Sequence, residues 1–181
     1  MFPKSAIDLK KWIEENHENF KPPVGNKVIW EDTDTIVMVV EGPNARKDYH
    51  INEGEEFFYQ VKGDIVLKII ENGQSLDVPI REGEIFLIAS KTPHSPQRPA
   101  GTIGVVIEYK RHGSELDGFQ WYCEKCHHKL YEEFVAVNDV EHQLPEIFKR
   151  FYDDEEKRRC KRCGYVMQPP LEKGQNEKNT S

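Results

Sequence analysis

The sequence predicts a mainly β protein, built as a barrel or double-sheet jelly roll with a few helices and a small C-terminal metal-binding module. Three observations support this fold class. Seven short runs rich in apolar, β-branched and aromatic residues lie between residues 27 and 110. Turn-forming residues separate these runs, and no helical pattern interrupts them. Two CxxC pairs follow in the last third of the chain, and such pairs are typical of metal sites with four sulfur ligands.

The first predicted element is a short helix. Ser5 can cap it, because apolar residues recur at helical spacing from Leu9 to Ile13. The predicted strands come next. Their apolar-rich segments are KVIW, TIVMVVE, FFYQV, DIVLKII, LDVPI, EIFLI and IGVVIEY. The sequence Glu-Asn-Gly-Gln at residues 71–74 predicts a tight hairpin turn, since Asn-Gly accepts the positive φ angles of such turns.

The character of the sequence changes after Tyr109. Residues 111–118 are polar and contain glycine, which indicates a linker. A helix is predicted from about Pro145, where proline suits the first turn, and its apolar face comprises Leu144, Ile147, Phe148 and Phe151. We therefore expect three regions: a barrel with an N-terminal helix and the catalytic site (1–110), a linker, helix and four-cysteine module (111–170), and a disordered polar tail (171–181).

The composition indicates a soluble protein with one sizeable core. The chain has 181 residues, of which 37% are hydrophobic and 31% charged, and its mean hydropathy is −0.74. No apolar run is long enough to cross a bilayer, and the N-terminus lacks the apolar core of a signal peptide, so a cytoplasmic location is expected. The net charge of −7 disfavours broad nucleic-acid binding, which needs a basic surface.

Two histidines and a glutamate form a candidate metal site. His50 and Glu56 lie near the start of one predicted strand, and His94 follows another. Two imidazoles and one carboxylate suit iron(II), because they leave coordination positions open for substrate and dioxygen. On a straight strand His50 and Glu56 would stand roughly 20 Å apart, at about 3.3 Å per residue. The chain must therefore bend between them, at residues 52–54, where Gly54 permits a turn.

Glu55 competes with Glu56 for the ligand role. Neighbouring residues of a strand point to opposite faces, so only one of the two can face the barrel interior. Glu56 is favoured because Phe58 and Gln60 share its face. Taken singly, each of these residues is more simply an ordinary polar residue near a turn.

As a set, the spacing resembles the cupin pattern. The first cupin motif is matched by His50, Asn52, Glu56 and Gly63, and the second by Gly83 and His94. Asn52 replaces one common cupin histidine ligand, which leaves a triad instead of four ligands. Arg98 stands where the second motif often has asparagine, so a cation can project towards the pocket.

A closer resemblance is to the 3-hydroxyanthranilate 3,4-dioxygenase family. Four segments carry this resemblance: GPNARKDYHINEGEEFFYQVKGD, EGEIFLIASKTPHSPQRP, VVIEYKR and GFQWYCEKCHH. A fifth, KRRCKRCG, resembles the small metal site of the bacterial and fungal forms. The resemblance covers roughly residues 1–168. It implies Fe²⁺ held by His50, Glu56 and His94, with 3-hydroxyanthranilate and O2 as substrates. The implied product is 2-amino-3-carboxymuconate 6-semialdehyde, the precursor of quinolinate in NAD biosynthesis.

The same resemblance assigns roles to three further residues. Arg98 would clamp the substrate carboxylate through two parallel hydrogen bonds. Arg46 matches the family arginine beside the oxygen site, and Glu108 matches the acidic residue that bonds the substrate's hydroxyl and amino groups. The simpler alternatives are a surface ion pair for each arginine and an exposed edge position for Glu108. The family also implies a homodimer, for which the strands near residues 27–41 could supply the interface.

Cys123, Cys126, Cys160 and Cys163 predict a second, structural metal site. Four thiolates close the coordination sphere and leave no position for substrate. Zinc and rubredoxin-like iron both satisfy such a set, and the family resemblance implies iron in bacterial forms. A redox dithiol and a nucleic-acid-binding zinc ribbon are the weaker alternatives, while His127 and His128 are expected to be solvated.

Two other functions stay open at this point. Another iron cupin, acting on a thiol or a different aromatic compound, would use the same three ligands. A non-catalytic cupin would bind a small acid and show no turnover with iron(II).

Overall fold

The computed structural model describes residues 5–20, 25–30, 33–44, 46–137 and 140–170. Within these ranges the helices are α1 (Leu9–Asn16), α2 (Val140–Tyr152) and α3 (Glu155–Arg158), and a 3-10 turn spans His17–Asn19. The strands are β1 (Gly25–Val28), β2 (Thr35–Glu41), β3 (Asp48–Ile51), β4 (Glu56–Lys62), β5 (Ile65–Glu71), β6 (Gln74–Ile80), β7 (Ile85–Ile88), β8 (His94–Gln97), β9 (Ile103–Tyr109), β10 (Asp117–Tyr122) and β11 (Lys129–Val135). The tail expected to be disordered, residues 171–181, lies outside the described residues.

The strands form two antiparallel sheets, which confirms the predicted jelly-roll fold class. One sheet has the order β1-β2-β9-β4-β7, and the other has the order β11-β10-β3-β8-β5-β6. Apolar side chains from both sheets meet in one core cluster, formed by Val40, Phe58, Ile65, Leu67, Ile80, Ile88 and Val106. The alternating burial along β4 and β5 is the pattern expected when one face of each strand contacts this core.

Each of the seven predicted runs overlaps a strand, and the hairpin turn is confirmed. Asn72 and Gly73 have φ angles of 51° and 75°, and β5 pairs with β6 from Glu71↔Gln74 onwards. Positive φ at both central residues is the geometry that Asn-Gly favours.

The N-terminal helix begins later than its predicted cap. Asp8, and not Ser5, is the N-cap, and its side chain accepts a hydrogen bond from the Lys11 backbone N–H at 3.1 Å. Ile13 of α1 is buried against Val39 and Val105. The helix therefore covers the outer face of the five-stranded sheet, away from the core between the sheets.

The second helix also differs from its prediction. It begins at Val140, so Pro145 lies inside the helix and not in its first turn. The predicted apolar face is confirmed, because Leu144, Ile147 and Phe151 are buried. These residues pack with Phe119, Trp121 and Met167 in a cluster that joins α2 to the six-stranded sheet.

The linker expected over residues 111–118 is only partly a linker. Asp117 and Gly118 belong to β10, which pairs with β3 on one side and β11 on the other. The six-stranded sheet thus continues across the boundary predicted at residue 110. No helix of the described chain is both long and apolar enough to span a membrane.

Removing a ring from the C-terminal cluster should be costly. Phe151 is fully buried and stacks on Trp121 with ring centroids 4.4 Å apart. We expect Phe151→Ala to lower the free energy of unfolding by about 3–5 kcal/mol, because it leaves a cavity as well as losing apolar burial. Chemical denaturation would measure the change. Phe134→Ala is the matched control, because Phe134 is 49% exposed. An equal loss of unfolding free energy in both variants would contradict the role of Phe151 in the buried cluster.

Candidate metal centre and active site

Three strands bring His50, Glu56 and His94 together. His50 on β3 is the direct cross-strand partner of His94 on β8. Glu56 is the first residue of β4, in the other sheet, and the chain bends at residues 53–54 between the two strands. One ligand atom from each of the three side chains lies within 4.8 Å of the others. The predicted bend is confirmed, but the single strand predicted to carry His50 and Glu56 is wrong, because the bend divides it into β3 and β4 of different sheets.

The choice between the two glutamates follows the strand alternation. Glu56 is 6% exposed and faces the interior, whereas Glu55 is exposed. Phe58 and Gln60 are buried on the same face as Glu56. The geometry therefore gives the interior position to the glutamate that the sequence favours.

Hydrogen bonds orient His94 towards Glu56. The backbone carbonyl of Thr92 lies 2.9 Å from His94 Nδ1 and accepts its hydrogen bond, while Nε2 lies 3.0 Å from Glu56 Oε2. Burial lowers the pKa of His94, but the Glu56 charge and these hydrogen bonds outweigh it, and the net pKa is raised. Burial raises the pKa of Glu56, but the two histidines and Arg111 outweigh it, and the net pKa is lowered.

The donor set fits a divalent transition metal. Donors about 2.1 Å from a metal stand about 3.0 Å apart in adjacent octahedral positions, and the His94–Glu56 separation of 3.0 Å has that value. Two imidazoles and one carboxylate are also the ligand types of iron(II) oxygenase sites. The backbone bond to Nδ1 is the kind of outer interaction that fixes which histidine nitrogen faces a metal.

Arg98 lies beside this group as a deeply buried cation. It is 3% exposed, and its Nη1 donates to Gln60 Oε1 at 3.2 Å. Its Nε has no hydrogen-bond partner among the described residues. Gly104 leaves room for the guanidinium, since a Cβ there would lie 2.7 Å from Nη1. Burial lowers the pKa of Arg98 to about 10, which leaves the group charged at neutral pH.

Arg46 also lines the cleft, but it is already paired. Its Nε donates to Asp48 Oδ1 at 3.0 Å, and its guanidinium carbon lies 5.5 Å from the Phe148 ring centroid. Burial lowers the pKa of Arg46, but Asp48 and Glu56 outweigh it, and the net pKa is raised. The residue is therefore a fixed cation held in the cleft wall, and not a surface ion pair.

Glu108 is buried, and not on an exposed edge. It is 7% exposed and stands directly opposite Glu56 in the β4–β9 pair. Asn52 Nδ2 donates to both carboxylates, at 3.3 Å to Glu56 Oε2 and 3.1 Å to Glu108 Oε2. Asn52 therefore separates two like charges that would otherwise face each other.

Sequence reasoning missed two residues of the site, Arg111 and Asp117. Both lie in the segment interpreted as a linker, and both line the same cleft as His50 and Glu108. Arg111 is the last residue of the VVIEYKR segment that carries the family resemblance, but that match assigned it no role. Asp117 has no signal beyond an opposite charge six positions away in a polar segment, which is common on protein surfaces. Asn52 had a clearer signal, as the residue that replaces a common cupin histidine.

The cleft opens over the metal-ligand group. It encloses about 700 Å³ of space between atoms, and part of that space is open to solvent. Its apolar wall includes Met38, Val40, Phe58, Pro96, Val106 and Phe119, and its polar wall includes Arg46, Arg98, Arg111 and Glu108. An aromatic acid fits such a lining, with its ring against the apolar wall and its carboxylate at a buried cation.

The four cysteines converge at the opposite end of β10. Their Sγ atoms lie within 4.8 Å of one another, with Cys123–Cys163 at 3.6 Å and Cys126–Cys160 at 3.5 Å. Sulfurs about 2.3 Å from a tetrahedral metal stand about 3.8 Å apart, whereas a disulfide needs about 2.05 Å. His127 and His128 are exposed, as expected. The cluster therefore fits a four-thiolate metal site.

Backbone N–H groups prepare one of these sulfurs for metal binding. Burial raises the pKa of Cys160, but the N–H groups of Cys163 and Arg162 stabilise its thiolate and bring the pKa down to about 7. Thiolates, and not thiols, are the metal-binding form. The second CxxC pair therefore supplies both the ligand and the dipoles that hold its charge.

Loss of one of these sulfurs should remove the second metal alone. We expect Cys160→Ser to abolish metal binding by the cysteine cluster and to lower the thermal unfolding temperature, because a bound ion stabilises the folded state. Elemental analysis of the purified protein would measure both metals. Metal retained at the histidine site serves as the internal control, and full retention of cysteine-bound metal would contradict the prediction.

The two facing antiparallel sheets and the His-Glu-His group define a jelly-roll protein with a candidate metal centre beside a cleft. The chain belongs to the 3-hydroxyanthranilic acid dioxygenase family, whose model matches residues 1–152.

Two relatives extend this result over most of the chain. A 3-hydroxyanthranilate 3,4-dioxygenase of Xanthomonas euvesicatoria pv. vesicatoria (strain 85-10) is 51% identical over 164 residues, which cover 91% of this chain and 93% of the relative. The enzyme of the same name from Bacillus cereus (strain ATCC 10987 / NRS 248) is 44% identical over 168 residues, with 92% and 94% covered. A cupin-2 domain protein from Shewanella frigidimarina NCIMB 400, of known structure, is 16% identical with a TM-score of 0.45 over 54% of this chain and 92% of that chain. That last likeness is too low to add to the assignment.

Proposed function

We propose that this chain is an iron(II)-dependent ring-cleaving dioxygenase that converts 3-hydroxyanthranilate and O2 to 2-amino-3-carboxymuconate 6-semialdehyde. Both atoms of dioxygen enter the product. The observation that supports this most is the position of Arg98, a buried guanidinium in the same cleft as the candidate ligands His50 and Glu56, with no carboxylate partner among the described residues. A substrate with a carboxylate at one end and metal-chelating groups at the other would satisfy both.

The buried arginine selects for an anionic ring substrate. Gln60 Oε1 accepts a hydrogen bond from Nη1, and no carboxylate of the described residues pairs with the guanidinium, so its charge is left for a bound anion. A guanidinium and a carboxylate form two parallel hydrogen bonds, and burial strengthens them. This contact would fix the orientation of the ring in the cleft. It would also aim the adjacent hydroxyl and amino groups at the metal.

His50, Glu56 and His94 would hold Fe²⁺ on one side and leave the cleft side open. Bound iron(II) supplies the coordination positions where the substrate and dioxygen meet, and the route by which electrons pass between them. Arg46 would place fixed positive charge beside the oxygen position. It is held there by Asp48 and Phe148, so little reorganisation is needed as negative charge develops.

Glu108 would act on the substrate's hydroxyl group. Its carboxylate lies in the cleft opposite Glu56, where it can accept the phenolic proton at one of its oxygens. Asn52 holds Oε2 of this carboxylate, so the acceptor is oriented before the substrate arrives. A positioned carboxylate of this kind is a general base for proton abstraction.

Oxygen consumption gives the direct test. The protein would be loaded anaerobically with ferrous iron, mixed with 3-hydroxyanthranilate and exposed to air while O2 uptake and the ring-opened product are recorded. Catechol and cysteine, supplied at equal concentration, test the other iron cupin activities. Uptake with either of these but not with 3-hydroxyanthranilate would overturn the substrate assignment. If the protein bound 3-hydroxyanthranilate without turnover, and Glu56→Gln bound it equally well, the chain would be a non-catalytic binding protein.

The remaining proposals concern context. The four-cysteine cluster would hold iron or zinc as a structural site, because four thiolates leave no position for substrate. The reaction would supply the quinolinate precursor for NAD biosynthesis in the cytoplasm. The chain would act as a homodimer, with β1 at the edge of the five-stranded sheet as one candidate contact. Light scattering would measure the assembly state.

A further inference from the structure

We propose that Arg111 is a positioning residue that holds Glu108 ready to accept the substrate proton. This inference rests on the proposed function. Arg111 follows β9 and precedes β10, within the segment that the sequence suggests is a linker. Its side chain is only 16% exposed and lines the cleft.

The guanidinium of Arg111 contacts two carboxylates. Its Nη1 donates to Glu108 Oε1 at 2.6 Å. Its Nε and Nη2 donate to Asp117 Oδ1 at 3.0 and 2.8 Å, and Nε also lies 3.1 Å from Oδ2. The contact with Asp117 uses the fork of the guanidinium and fixes its plane, so that the remaining nitrogen points at Glu108.

These two carboxylates belong to different sheets. Glu108 lies on β9 in the five-stranded sheet, and Asp117 lies on β10 in the six-stranded sheet. Asp117 is 1% exposed, and its Oδ1 also lies 3.2 Å from His50 Nε2. Arg111 therefore links Glu108 to the buried Asp117, which itself contacts the candidate metal ligand His50.

Charge explains why a cation is needed at this position. Glu108 and Asp117 are both buried, and without a shared cation each would be a poorly compensated charge. Burial lowers the pKa of Arg111, but Glu108 and Asp117 outweigh it, and the net pKa is raised. The guanidinium therefore stays charged and presents one positive charge to both carboxylates.

The consequence for Glu108 is a fixed orientation. Arg111 holds Oε1 and Asn52 holds Oε2, so rotation of the carboxylate would break a bond on either side. Each oxygen has two lone pairs, and one donor on each leaves a lone pair for the substrate's hydroxyl proton. Without Arg111 the carboxylate would lose one of its two donors, and its acceptor direction would no longer be fixed.

Substitution of Arg111 should therefore slow the proton-dependent step more than it weakens binding. We expect Arg111→Gln and Arg111→Lys to lower kcat by roughly 10- to 100-fold. Lysine keeps the charge but cannot bond both carboxylates with the same geometry. Anaerobic binding of 3-hydroxyanthranilate, measured by calorimetry, should change by less than about threefold, since Arg98 is intact. Iron content should match that of the unaltered protein.

A double-substitution cycle separates positioning from a general structural role. If Arg111 acts through Glu108, Arg111→Gln should have almost no further effect on kcat in a Glu108→Gln background. Full additivity of the two effects would overturn the inference, as would unchanged kcat in Arg111→Gln. Should Arg111→Gln fail to fold by circular dichroism, the same cycle with Arg111→Lys decides the question.

Two controls complete the design. Arg150→Gln removes an arginine that pairs with Glu133 on the surface, 45% exposed and outside the cleft, and should leave kcat unchanged. Added guanidinium ion should partly restore kcat in Arg111→Gln but not in Arg111→Lys, where the ammonium fills the space.

Absence of 3-hydroxyanthranilate turnover by the unaltered protein would refute the proposed function itself. Normal turnover by the unaltered protein, with kcat unchanged by substitution of Arg111, would refute this inference alone.

Discussion

His94→Ala is expected to abolish iron binding in the cleft and to reduce oxygen uptake with 3-hydroxyanthranilate to background. The substitution removes one of three candidate ligands and leaves Glu56 without its 3.0 Å partner. The two ligands that remain are one imidazole and one carboxylate. They do not make up the set of two histidines and one carboxylate that iron(II) oxygenases use. Elemental analysis would show one metal per chain instead of two, with the remaining ion in the four-cysteine cluster.

The matched control for this variant is His17→Ala. His17 is 66% exposed and pairs with Glu41 near the end of α1, away from the cleft. Its replacement should leave both metals and the activity in place. Loss of both metals in His94→Ala would contradict the assignment of two independent sites, and retention of iron with normal turnover would remove His94 from the ligand set.

Arg98→Ala is expected to raise the KM for 3-hydroxyanthranilate by roughly two to four orders of magnitude while the protein stays folded. Hydrogen bonds to charged groups contribute about 1.5–3 kcal/mol each, and a bidentate pair makes two. Each 1.4 kcal/mol corresponds to about tenfold in affinity. Folding should suffer less, because the buried guanidinium has no carboxylate partner among the described residues and its Nε is unpaired.

A second substrate makes this prediction sharper. 2-Aminophenol has the adjacent hydroxyl and amino groups but no carboxylate, so its weaker binding should be nearly the same in Arg98→Ala and the unaltered protein. Arg98→Lys should lie between the two, since it keeps the charge but loses the fork. Thermal unfolding would show whether the fold is retained. An unchanged KM for 3-hydroxyanthranilate in a folded Arg98→Ala protein would rule out the carboxylate clamp.

Much of the fold was accessible from local sequence. The apolar runs located seven strands, since a strand buried on one side requires alternating or continuous apolar residues. Four strands were not among those runs. β3 and β8 read DYHI and HSPQ. Each spans four residues and gives one position to a ligand histidine, so neither forms an apolar run long enough to recognise. β10 and β11 lie beyond residue 110, where the CxxC pairs suggested a separate module.

The ends of the helices were harder to predict from the sequence than their buried faces. The apolar spacing of Leu144, Ile147 and Phe151 was correct because a helix buries one side whatever its ends are. The N-terminus of α2 lies five residues before Pro145, and α1 is capped by Asp8. Ser5 and Asp8 are both good cap residues, so local propensity did not distinguish them. Packing of α1 on Val39 and Val105 decided the helix position.

The sequence by itself determined which residue types could bind a metal, which glutamate faces inwards, and which four sulfurs belong together. These follow from the two-residue period of a strand and the short spacing of CxxC pairs, both of which are local properties. Only the tertiary structure decided the surroundings: Asn52 between two carboxylates, the burial of Arg98 without a carboxylate partner among the described residues, and the contacts of Arg111 with Glu108 and Asp117. Hydrogen-bond partners of buried charges come from whichever strands the packing of the two sheets brings into reach, and no local pattern encodes that pairing.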